Sequence, residues 1–149
     1  MTYGIIFWGN SPYSIHILRL QKKKIRTITN SKKRDSCRNL FRNLNVFTFI
    51  SQYIFSLLYF VITNSKQYIT YSSIHGRNTR YGSDFHQTIS NLSLYQRGSY
   101  HMGLKIFNSL PTCIKDISCN LKVFTHLLKI FLHSNSFYTL EYFQYNNNS

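Results

Sequence analysis

The chain has almost no acid. Asp35, Asp84, Asp116 and Glu141 are its only carboxylates, and no two are close in sequence. Metal-assisted phosphoryl transfer needs carboxylates placed together to clamp its ions, and four scattered acids give little to gather. No catalysis of that kind is expected from this chain, and no cofactor. Nucleophilic catalysis has no support either, because no G-x-S-x-G elbow is present and no acid is placed to orient a histidine. Cysteine is scarce and odd in number: Cys37, Cys113 and Cys119 follow no disulfide framework, and a reducing compartment is the simpler reading. Cys113, Cys119, His126 and His133 have the wrong spacing for a zinc finger, which needs two to four residues between its cysteines and histidines three to five apart. No basic region precedes an apolar core near Met1, so a signal peptide is not expected and the location reads as intracellular, nuclear or cytoplasmic. Alanine is absent, and glycine and proline number only 6 and 2.

Against these absences stands an excess of cations. Lys and Arg number 18 against 4 acids, a net charge of +14. Such a balance destabilises the compact state and favours a polyanionic partner, nucleic acid first and an anionic membrane surface second. Asn, Ile, Lys, Phe and Tyr are abundant and share AT-rich codons, so base composition explains part of the Lys and Tyr excess as readily as function does. At 149 residues with 43% hydrophobic content, one domain with one core is the default.

Periodicity predicts a mainly α-helical small domain or partial domain over residues 1–145, with an irregular middle segment and a disordered tail at 146–149. The apolar opening Ile5-Ile6-Phe7-Trp8 begins abruptly after Met1 and reads as a face awaiting a domain supplied elsewhere. Ser11-Pro12 reads as an N-cap followed by proline at the first helical position, starting a helix to about Thr29. Its Ile17, Leu18, Leu20, Ile25 and Ile28 fall on one side, and Arg19, Lys22, Lys23 and Arg26 on the other; Lys24 breaks the apolar side. Ser36 caps a short helix through Leu44, and Thr48 caps another to residue 63. Tyr68–Ile74 reads as strand-like and 83–99 as irregular. A helix from about Tyr100 ends at Ser109 before Pro111. Asn120 caps the last strong helix, Leu121–His133, with Val123, Phe124, Leu127, Leu128 and Phe131 buried, and a short helix follows around Phe137–Phe143.

The candidate binding residues are the cations Arg19, Lys22, Lys23, Lys24, Arg26, Lys32, Lys33, Arg34, Arg38 and Arg42, opposed only by Asp35. Such a run can track phosphates through counterion release, positioning a nucleic acid without reading its sequence. It is also what a solvated helix face or a nuclear localisation signal looks like. Lys105, Lys115, Lys122 and Lys129 stand outside the cluster and make a charge-matched comparison. Arg77 and Arg80, between Gly76 and Gly82, can grip a phosphate on a turn or pair with carbonyls or Asp84. Twelve Tyr, twelve Phe and one Trp belong mainly to core packing, with Tyr95 beside Arg97 and Tyr81 beside Arg80 as candidates for base stacking. The uncharged run Val46–Ile62 is at the lower edge of a membrane span, but Thr48, Ser51, Gln52 and Ser56 interrupt it, and a buried helix explains it as well.

Four blocks carry a resemblance. Tyr3-Gly4-Ile5-Ile6-Phe7-Trp8-Gly9-Asn10-Ser11, Leu20-Gln21-Lys22-Lys23-Lys24-Ile25-Arg26, Arg77-Asn78-Thr79-Arg80, and Gly103-Leu104-Lys105-Ile106-Phe107-Asn108-Ser109-Leu110-Pro111 with Ile114-Lys115 resemble, in order and spacing, the C-terminal thumb and post-palm segment of non-LTR (LINE, jockey-like) retrotransposon reverse transcriptases. The resemblance implies a helical region that grips template–primer or element RNA, or an RNA/DNA hybrid, beside a palm domain missing from this chain. It also marks what is lacking, since the family's catalytic aspartates, usually an adjacent pair in a Y-x-D-D turn, have no counterpart here. The expected function is thus non-catalytic RNA or hybrid binding through the basic helix. The alternatives are a small basic membrane-associated protein with residues 46–62 inserted, and a degenerate remnant with no selected function.

Overall fold

The computed structural model describes residues 4–75, 84–88, 91–141 and 143. Among them are nine helices: α1 (Ile5–Trp8), α2 (Ser14–Ile28), α3 (Cys37–Asn43), α4 (Phe49–Thr63), α5 (Tyr71–His75), α6 (Ser93–Gln96), α7 (Ser99–Asn108), α8 (Thr112–Lys115) and α9 (Leu121–Asn135). The protein is mainly α and small.

The core is built around α4. Nearly every side of this helix is apolar, which demands burial all round, and Tyr53, Ile54, Leu57, Leu58 and Val61 are fully enclosed. Thr48 caps it, its hydroxyl accepting from the Ser51 amide at 3.1 Å. The same hydroxyl donates to the Phe137 carbonyl at 2.5 Å, tying the start of α4 to the segment after α9. Helices α1, α2, α7 and α9 surround α4. Two close approaches depend on glycine. A Cβ on Gly103 of α7 would lie 2.6 Å from Val61 Cγ2, and one on Gly9 would lie 2.1 Å from the Tyr53 ring. Asn120 caps α9, accepting from the Val123 amide. Helical backbone returns at Leu140, Glu141 and Phe143.

Several expectations change on contact with the fold. The membrane alternative for 46–62 gives way to the buried reading: Phe49–Ile62 lies in the core helix, and among the described residues no helix is long and apolar enough to cross a membrane. Part of the opening segment packs within this chain. Ile5 is buried in this chain's own core and Trp8 stacks on Phe49 with ring centroids 5.4 Å apart, leaving Phe7 of α1 77% exposed. Ser11 and Pro12 do not start α2; they form the turn before it, closed by the Ser14 amide on the Ser11 carbonyl at 3.0 Å. This puts proline where a turn favours it. Tyr68–Ile74 is not a strand. Among the described residues its pairing is one antiparallel bridge, Thr70 with Phe85, and Tyr71–His75 is helical instead, which satisfies backbone groups locally. The buried stripes are also narrower than periodicity implies. Leu18 and Ile25 anchor α2, while Leu20 and Ile28 are 61% and 72% exposed; on α9, Val123 is exposed and Leu132 is buried.

Candidate nucleic-acid interface

After α2 the chain must reverse within a few polar residues. Asn30 takes the left-handed conformation (φ 49°) that asparagine tolerates. The Ser31 amide returns to the Arg26 carbonyl at 3.0 Å. Asp35 then closes the turn: its carboxylate accepts the Lys32 amide at 2.8 Å, and its own amide donates to the Lys32 carbonyl at 3.1 Å. The one acid of this region thus holds backbone. Lys32, Lys33 and Arg34 are left exposed beside Arg19, Lys23 and Lys24 of α2, which are exposed as well.

The remaining cations of the run turn inward. Lys22, Arg26 and Arg38 are half-buried and converge on Tyr138, from the segment that follows α9. The Lys22 ammonium stands 3.7 Å from the centre of the Tyr138 ring and the Arg38 guanidinium 5.2 Å from it, within the range of cation–π attraction. Arg26 donates to the Asp35 carbonyl at 3.2 Å, but its Nε is buried with no hydrogen-bond partner, as is the Tyr138 hydroxyl. Burial lowers the Lys22 pKa from the ordinary lysine value; the Cys37 sulfur opposes that shift, and Arg26 and Arg38 add to it. Burial, with a smaller contribution from Cys37, raises the Tyr138 phenol against the pull of Arg38, Arg26 and Arg42. Beneath them Ile25, Cys37 and Phe41 form a small satellite core against which Tyr138 packs.

The cations proposed from sequence therefore separate into groups. Arg19, Lys23, Lys24, Lys32, Lys33 and Arg34 are exposed on α2 and the turn after it. Lys22, Arg26 and Arg38 line a cleft, at which exposed Arg34 also stands. Arg42 is exposed but donates to the Ser134 carbonyl, linking α3 to the end of α9. Arg77, Arg80 and Tyr81 lie outside the described residues, as does the tail at 146–149. Tyr95 is exposed and makes an edge contact with His101 at 6.0 Å. Lys115 cannot serve as a solvated comparison cation. It is buried, 2.7 Å from the Asp84 carboxylate, and also donates to the Asn108 carbonyl at 2.6 Å.

The block beginning at Gly103 proves to be a packing device. Gly103 admits Val61; Leu104, Ile106, Phe107, Leu110 and Ile114 are buried. The Asn108 amide clasps the Phe85 backbone in both directions, accepting from its N–H at 2.9 Å and donating to its carbonyl at 2.8 Å. In the earlier block, Gln21 does similar service: it donates to the Phe47 carbonyl at 2.7 Å and accepts from the Phe49 amide at 2.8 Å, joining α2 to the start of α4. Tyr138, Asn108, Gln21 and Asp84 carry no periodic signal, and only folding shows their partners. Among the described residues, no three His, Cys, Asp or Glu side chains are grouped so as to hold a metal ion. His133 instead stacks on Phe47, centroids 4.2 Å apart. Comparison with protein-family models, with curated proteins and with solved structures finds no match.

Proposed function

We propose that the protein is a non-catalytic nucleic-acid-binding domain whose contact surface is α2 and the turn that follows it. One observation carries the reading: Arg19, Lys23, Lys24, Lys32, Lys33 and Arg34, all on α2 or the turn after it, are each exposed. Among the described residues the ion pair within 4.0 Å is Lys115 with Asp84, remote from this row. Exposed cations without carboxylate partners release counterions when they meet phosphates, so binding is strong at low salt and indifferent to sequence. The four acids support a binding role over a catalytic one. Asp84 is neutralised by Lys115, Asp35 holds the Lys32 amide, and Asp116 and Glu141 are exposed at separate places.

The wider reading is that the chain is a thumb or post-palm part of a non-LTR retrotransposon reverse transcriptase, with RNA or an RNA/DNA hybrid as partner and the palm supplied elsewhere. The order of the four sequence blocks supports it. So does the packing use of Gly103, Asn108 and Lys115, which suits a motif lying outside an active site.

A salt titration of binding to a short single-stranded RNA tests the surface. If about four phosphates are neutralised, log K should fall against log salt with a slope of about −3. Changing Arg19, Lys23, Lys32 and Lys33 together to Gln retains helix propensity on α2 and should abolish most of the affinity and most of the slope. The comparison variant changes the exposed Lys66, Lys105, Lys122 and Lys129 to Gln. Equal weakening by the two variants would mean diffuse attraction and no localised surface.

A further inference from the structure

We infer that the cleft between α2, the turn after it and Tyr138 is a binding site for a single phosphate group. The site deepens the proposed function, since in a polynucleotide its occupant is one backbone phosphate seated beside the exposed cationic row.

Lys22, Arg26, Arg34 and Arg38 line this cleft together with Asp35, Ser36, Cys37 and Tyr138. Two of its polar atoms, Arg26 Nε and the Tyr138 hydroxyl, are buried and have no hydrogen-bond partner. A buried donor without an acceptor is costly, so each such group calls for an explanation. Both can donate, and so can the Lys22 ammonium beside them. A set of donors weighted toward cations in this way favours a ligand that offers acceptors and carries negative charge. A phosphate diester or inorganic phosphate has that character.

Charge points the same way. Lys22, Arg26 and Arg34 share the cleft with one carboxylate, Asp35, which is already engaged by the Lys32 amide. No carboxylate among the described residues pairs with Lys22, Arg26 or Arg34. The Tyr138 ring is not a stacking platform on its Lys22 side, because the ammonium occupies that face at 3.7 Å. The cleft therefore suits the phosphate of a nucleotide rather than its base. An arriving anion would also relieve the desolvated Lys22 ammonium, whose pKa burial depresses.

Tyr138→Phe is the sharpest probe. It removes one unpartnered hydroxyl, keeps the ring under Lys22, and leaves net charge unchanged. In the full chain, inorganic phosphate titrated at constant ionic strength against chloride should shift the Arg26 Nε–H resonance saturably and raise the melting temperature. Tyr138→Phe should weaken that binding about tenfold, the loss of one hydrogen bond to a charged group. Arg26→Gln should abolish it, and Lys23→Gln, on the exposed face, should leave it intact. A shift that is linear in phosphate, or reproduced by chloride, overturns the site. So does saturable binding that Tyr138→Phe leaves unaltered.

A second arm uses single-stranded RNA. If a backbone phosphate is the occupant, Tyr138→Phe weakens RNA binding without changing its salt slope, and free phosphate competes. If RNA affinity is unmoved while phosphate binding falls, the cleft takes a free phosphate and the polynucleotide assignment is withdrawn. Failure of the exposed-row variant to weaken RNA binding refutes the proposed function without touching this result, because the cleft residues are intact in that variant.

Discussion

His133 shows how one side chain can contribute to stability through its charge state. It sits in the last turn of α9, half-buried, with its ring stacked on Phe47. A helix C-terminus favours a cation, yet burial wins and lowers the His133 pKa from the ordinary histidine value of 6.5. The unfolded chain then binds its proton more readily than the folded one. Its contribution to stability is complete above pH 6.5, declines as pH falls below that value, and is gone once pH has passed the depressed folded pKa. His133→Phe keeps a ring against Phe47 and removes the titration. Urea midpoints measured from pH 8 to pH 5 should therefore fall less for the variant than for the wild type, with the difference opening below pH 6.5. Parallel curves would mean that His133 titrates alike in both states. Tyr53 shows the same force at the centre of the core. Its hydroxyl is buried without a partner, and burial pushes the phenol up to about 12.

At the scale of elements, the segment around Asp84, α7 and α8 is held by polar bonds set into apolar packing. Lys115 at the end of α8 reaches Asp84 and the Asn108 carbonyl, while Asn108 holds Phe85. Removing one member of a buried pair leaves the other charged and unpaired, at a cost of about 3–5 kcal/mol. Lys115→Met alone should destabilise by that order, Asp84→Asn alone by a similar amount, and the double variant by much less than their sum. Additive losses in a urea-denaturation cycle would show that the two residues act independently. The long helices were legible from their ends and stripes. Thr48 and Asn120 each stand before an apolar run, and both are side-chain caps in the fold. The short elements were not, because α1, α5, α6 and α8 each span a turn or little more, too short for a period to show. Nor could periodicity tell that Leu20 and Ile28 face outward, since the stripe buried on α2 is set by α3 and α4 as its neighbours. Of the site, the exposed row was legible as a run of cations. The inward turn of Lys22, Arg26 and Arg38 was not, because Tyr138, on which they converge, arrives from the far end of the chain.

Over the whole molecule, the +14 charge and the compact core work against each other. Like charges repel over a Debye length of about 30 Å in 0.01 M salt and about 8 Å in 0.15 M, so the folded chain is least comfortable at low salt. A row of cations that only solvates the surface adds repulsion with nothing to offset it. A row that binds phosphate is retained despite its repulsion, because the bound polyanion stabilises the folded state by mass action. The two possibilities differ in how stability responds to charge removal. Changing Arg19, Lys23, Lys32 and Lys33 to Gln should raise the urea midpoint in 0.01 M NaCl, and the gain should shrink in 0.15 M NaCl as screening takes over. The variant made from Lys66, Lys105, Lys122 and Lys129 removes the same charge from dispersed positions and should gain less. Added RNA should reverse the order, stabilising the wild type and the dispersed variant while leaving the row variant nearly unchanged. If both variants gain equally without RNA and respond equally to it, the cations act as one diffuse cloud. The molecule would then have no side built for a polyanion.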